Sequence, residues 1–107
     1  MYEIKRHEKL IRGQHVTTFS REIYSANMLE VEAGTTGRRG GDGGHGGRTY
    51  FRVEDLGCTD METHITHGVD GTGFEVILGG DCEMRTIITA LKFIVQVLEE
   101  QIEEMGR

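Results

Sequence analysis

From Met84 to Met105 the apolar residues Met84, Ile88, Leu91, Val95, Leu98, Ile102 and Met105 step by four and three without a miss. Only an α-helix turns that spacing into a continuous apolar seam. The pattern predicts a long C-terminal helix over about 82–105. Gly79-Gly80 ends whatever precedes it, Asp81 can cap it, and Glu83 sits where the helix dipole favours an acid. A polar stripe of Arg85, Thr89, Lys92, Gln96, Glu99 and Glu103 runs along one side, while Ile87, Ala90, Phe93, Ile94 and Val97 widen the apolar surface beyond what one sheet face requires. A helix buried within its own domain is one reading. The expectation here is that it packs on its sheet and also meets a second copy, giving a homodimer through the C-terminal helix. A single domain of 107 residues, 36% hydrophobic, buries only about two thirds of its unfolded surface, so association would supply burial the chain lacks.

The sheet is read from alternation. Leu29, Val31 and Ala33 alternate with Glu30 and Glu32; Thr49, Phe51 and Val53 with Tyr50, Arg52 and Glu54; Met61, Thr63 and Ile65 with Glu62 and His64; and Phe74, Val76 and Leu78 enclose Glu75 and Ile77. Each is the pattern of a strand with one buried face. Asp55-Leu56-Gly57 and Asp70-Gly71 carry turn chemistry, so the four runs are expected to form an antiparallel meander packed against the helix, an α+β fold. Glu30 and Glu32 would then share a solvated face with Arg52. Before them, residues 2–12 place Ile4, Leu10 and Ile11 among charges, which fits a short amphipathic helix stopped by Gly13 or a strand. Val16, Phe19, Ile23 and Tyr24 fit either period.

Between the first two of these strands lies a glycine-rich loop, residues 34–48, containing Arg39-Gly40-Gly41-Asp42-Gly43-Gly44-His45-Gly46-Gly47-Arg48. Paired glycines between polar heads let a backbone approach another group closely, at a large entropic cost of ordering. The regularity marks a site, and an ordered loop. Freed backbone N–H groups can line an anion-binding concavity, and arginines add charge-assisted hydrogen bonds. The candidate ligand-binding residues are therefore Arg38, Arg39, Asp42, His45 and Arg48, and the ligand is a small anion or a protein partner. The alternative is a small metal-assisted hydrolase using Asp42 and His45 with an arginine. A zinc site needs about four converging ligands, and the spacing of His64, His67, Cys58 and Cys82 compels none. No nucleotide-binding fingerprint is present. The run from Gly34 through Gly40-Gly41-Asp42-Gly43-Gly44-His45-Gly46-Gly47-Arg48-Thr49-Tyr50-Phe51-Arg52 resembles one found in small uncharacterised bacterial proteins, including phage- or mobile-element-borne ones. It covers about a fifth of the chain, and the resemblance implies no activity, cofactor or catalytic residue.

A net charge of −6 disfavours nucleic acid and anionic membranes as partners, since phosphate backbones reward a concentrated basic surface. No apolar run approaches the roughly 18 residues of a membrane span, and the first residues lack the apolar stretch of a signal peptide. A cytoplasmic protein is expected, with Cys58 and Cys82 as free thiols.

Overall fold

The structure is a computed structural model that describes residues 3–24, 27–41, 45–57, 59–68 and 71–105. Among the described residues, six strands precede one helix: β1 (Lys5–Ile11), β2 (Gln14–Tyr24), β3 (Met28–Thr35), β4 (Thr49–Gly57), β5 (Met61–Gly68), β6 (Gly71–Leu78) and α1 (Asp81–Met105). The fold is α+β, a four-stranded antiparallel sheet with the C-terminal helix packed on one face, and a second sheet of two strands.

The four-stranded sheet runs in the order β1-β2-β3-β4, and among the described residues β5 pairs only with β6. Two of the strands read from alternation, β3 and β4, thus lie in the main sheet. The other two leave it as a separate ribbon, and the N-terminal segment supplies the missing pair. Residues 5–11 are a strand and not a helix, because Gly13 closes a turn instead of stopping a helix. Ile11 faces Gln14 across Arg12-Gly13, both turn residues have positive φ, and that is the two-residue turn whose twist matches paired strands. At the other edge, the segment read as a turn, Asp55-Leu56-Gly57, is the end of β4. Gly57 pairs with Met28 across a register shift. Its N–H is held by Asp55 Oδ1 at 2.9 Å. Thr59 donates back to the Met28 carbonyl at 3.3 Å, and the Gly79 N–H to the Asp60 carbonyl at 3.1 Å fixes the base of the ribbon beside the start of α1. The meander is broken there because the chain is drawn out of the sheet toward the helix.

The face of the sheet under α1 carries Ile23, Val31 and Ala33, and the helix lays Ala90, Phe93, Ile94 and Val97 on them, with Phe19 and Val53 at the margins. The buried residues of the helix step three and four apart, so one stripe of the cylinder meets the sheet. A polar strap marks each end of the contact. Near the start, Thr86 Oγ1 donates to Asn27 Oδ1 at 2.8 Å. Near the end, the buried Gln101 accepts from the Thr35 N–H at 2.7 Å and donates to the Thr17 carbonyl at 2.8 Å, bridging β3 and β2 from the helix. Gln101→Leu removes the partner of the buried Thr35 N–H and of the part-buried Thr17 carbonyl. It is expected to lower the unfolding free energy by about 1 to 3 kcal/mol, measured by urea denaturation. A change below about 0.5 kcal/mol, the range of an ordinary surface substitution, would show that the strap carries nothing.

Among the described residues no helix is long and apolar enough to cross a membrane. Cys82 is a half-buried free thiol, and Cys58 and Asp70 lie outside the described residues.

Candidate functional site

The glycine-rich loop leaves the sheet at the end of β3 and returns at the start of β4. Two threonines lace its neck. The Thr36 N–H donates to the Arg48 carbonyl at 3.0 Å, and the Arg48 N–H returns to Thr36 Oγ1 at 2.9 Å. Thr35 Oγ1 accepts from the Gly37 N–H at 3.1 Å and lies 2.9 Å from Thr49 Oγ1. These bonds hold the two limbs so close that a Cβ on Gly47 would stand 2.0 Å from the Gly37 carbonyl oxygen. Glycine is required there by contact, because any side chain would collide with backbone.

The first hairpin braces the loop from outside. Gln14 Nε2 donates to the Gly46 carbonyl at 2.7 Å. The Arg48 guanidinium turns back onto backbone oxygens, with Nε on Arg12 at 3.3 Å and Nη1 on Gly46 at 3.1 Å and Gly47 at 3.3 Å. Arg48 is thereby spent on loop structure. Arg38, Arg39 and His45 instead line a cleft of about 570 Å³, floored by Thr35 and Thr49 and walled on the helix side by Ile102. All three polar residues are exposed, and among the described residues neither arginine has an ion-pair or hydrogen-bond partner. The structure thus brings three of the five candidate residues to one cleft and places a fourth behind it. Asp42, the fifth, lies outside the described residues, as do Gly43 and Gly44.

The described residues contain no group of three or more His, Cys, Asp or Glu side chains able to hold a metal ion. His64 and His67 stand on opposite sides of the β5–β6 ribbon, as their spacing on one strand requires. Comparison of the chain with protein-family models, with curated proteins and with solved structures finds no match.

On the sheet face away from α1 lies a charge cluster that alternation revealed only in part. Arg52 Nη2 reaches Glu30 Oε1 at 2.8 Å and Glu32 Oε1 at 3.0 Å, the cross-strand match expected from the pattern. Glu32, however, is not on a solvated face: it is 2% exposed. Lys9 from β1 closes over it, with Nζ 3.1 Å from Glu32 Oε1 and 4.9 Å from the centre of the Tyr50 ring, and Thr18 Oγ1 donates to its other oxygen. Burial alone would raise the Glu32 pKa, but the hydrogen bonds from Thr18, Arg52 and Lys9 outweigh it and hold the carboxyl below its ordinary value. Both carboxylate oxygens are occupied by protein groups, which makes the cluster a brace of the sheet and not an open site. Lys9 was not legible as a member, since its place depends on β1 being a strand.

Proposed function

We propose that the protein is a small binding module whose glycine-rich loop receives an anionic group, a carboxylate or phosphate, free or borne by a partner protein. The observation that carries this reading is the state of Arg38 and Arg39. In a chain of net charge −6, two adjacent guanidinium groups stand at a glycine-lined cleft with no carboxylate partner among the described residues. Cationic charge with no carboxylate partner among the described residues is open to a ligand, and the forked donors of arginine match carboxylate and phosphate oxygens. The laced neck and the Gln14 and Arg48 braces lower the cost of ordering the cleft around a guest.

Titration calorimetry with phosphate, sulfate and citrate tests it. Binding by the parent is expected, and Arg38→Ala and Arg39→Ala should each weaken it by about 1 to 3 kcal/mol, the range for charged hydrogen bonds. Absence of heat at millimolar anion, or equal affinity in the parent and the double variant, would refute the proposal.

A further inference from the structure

Among the described residues, two apolar surfaces stay uncovered by the rest of the chain. In the β5–β6 ribbon, the register sets Met61, Thr63 and Ile65 opposite Leu78, Val76 and Phe74 on one side, with His67 at its end, while Glu62, His64 and Glu75 fall on the other together with Ile77. The apolar side borders a groove of about 760 Å³ whose far wall is Phe51, Val53, Ile87 and Leu91. Phe74 meets Phe51 across it with ring centroids 6.3 Å apart, yet remains 66% exposed. The second surface is the helix seam, where Met84, Ile88, Leu91, Val95, Ile102 and Met105 are all exposed. Leu91 belongs to both, so groove and seam form one strip. Single exposed apolar residues are ordinary, whereas a contiguous strip marks an interaction surface.

We infer that this strip binds a second copy of the chain, with the two α1 helices antiparallel across a two-fold axis and each ribbon lying against its partner's helix. The shape is self-complementary: a concave groove and a convex ridge of heptad spacing lie side by side, and a two-fold operator sets each against the other. The charge pattern selects the direction. Arg85, Lys92 and Glu99 follow one another at seven-residue spacing along the exposed flank of the seam. A parallel pair would set the two basic ends together and the two acidic ends together. An antiparallel pair centred near Phe93 layers Leu91 on the partner's Val95 and Met84 on the partner's Ile102, and it sets each Glu99 beside the partner's Arg85, leaving only the two Lys92 side chains as like charges at the axis. Opposed helix dipoles favour the same direction. Glu99, Glu100 and Glu104 on the second half of the helix oppose an anionic membrane as the occupant. The pairing does not require a ligand in the loop, but Ile102 belongs both to the seam and to the cleft wall, so the partner's Met84 lies beside that cleft.

Light scattering at micromolar concentration is expected to give twice the 12.0 kDa of the chain. Leu91→Glu and Val95→Glu should each give a monomer of unchanged helix content, since both side chains are about half exposed within one chain and a charge there meets water. The direction is tested by Arg85→Glu and Glu99→Arg. Each alone should raise the dimer dissociation constant about tenfold, and together they should restore it, because the exchanged pair attracts again. The two positions lie about 21 Å apart along one helix, so restoration can arise only between copies. A monomeric parent would overturn the inference, as would a double variant no tighter than the weaker single one. Should Leu91→Glu fail to fold, the charge exchange decides the matter alone.

Discussion

Gly34→Val is expected to be the most destabilising single substitution in the sheet, lowering the unfolding free energy by about 3 kcal/mol or more, at the upper end of overpacking costs. Gly34 faces Thr18 in the β2–β3 ladder. A Cβ built on it would stand 2.2 Å from the Thr17 carbonyl oxygen and 2.9 Å from the Thr18 Cα. Both obstacles are backbone of the adjacent strand, so no rotamer change relieves them and the strands must part. They would part beside the Gln101 strap, whose two hydrogen bonds go to the neighbouring Thr35 N–H and Thr17 carbonyl. The clash therefore reaches the helix contact and the root of the glycine-rich loop together. A domain of this size has only about 5 to 15 kcal/mol in all, so low soluble yield and an early urea midpoint are the expected readouts. Gly34→Ala should show the same sign with smaller size. A Gly34→Val protein with the parent's midpoint would mean that the two strands are not packed as described.

The helix and the β3–β4 pair were legible because each has a periodic apolar face and a partner that also has one. Arg52 could be matched to Glu30 and Glu32 for the same reason. The first strand was not, because β1 is an edge strand with charges on both sides, Arg6 and Glu8 on one and Lys5, His7 and Lys9 on the other, which leaves no period to read. Gly13 was ambiguous on physical grounds: a helix end and a two-residue hairpin turn both ask for positive φ. Alternation identified β5 and β6 as strands but could not say which sheet they join, since that depends on the short link before Met61 and on where the apolar side finds cover. In the site, the demand for close approach expected of the paired glycines is met at Gly47, where a Cβ would collide with the Gly37 carbonyl oxygen. The division of labour among the arginines was not legible, because Arg48 is claimed by Arg12, 36 residues away in sequence, whereas Arg38 and Arg39 have no such claimant among the described residues.

Glu32→Ala should cost on the order of 2 to 3 kcal/mol at neutral pH, the range for losing charged hydrogen bonds, and the loss should depend on pH in a way that identifies its cause. The carboxylate is enclosed by Thr18, Lys9 and Arg52, and without it two neighbouring cations face each other across a buried gap. Lys9 and Arg52 remain about a third exposed and Arg52 keeps Glu30, so water and a second carboxylate hold the cost at or below the bottom of the range for breaking buried pairs. Glu32 is held below its ordinary value of 4.5 in the fold, so as pH falls past that value the unfolded chain takes up a proton the native state still refuses. Stability from this group is present above pH 4.5 and is lost as pH falls through the depressed native value. Lys9 runs the other way. Burial lowers its pKa, but the bonds to Glu32 and Tyr50 outweigh that and raise it above 10.5, so its contribution is present below pH 10.5 and is lost as pH rises through the raised value. Urea unfolding of the parent and of Glu32→Gln from pH 7 down to pH 3 separates the ionic part from packing, because glutamine keeps the volume and lacks the charge. The gap between the two curves should be widest near neutrality and narrow steadily below pH 4.5. Curves that stay parallel over the whole range would mean that Lys9 and Arg52 do not stabilise the sheet through the Glu32 charge, and that the cluster acts only by filling space.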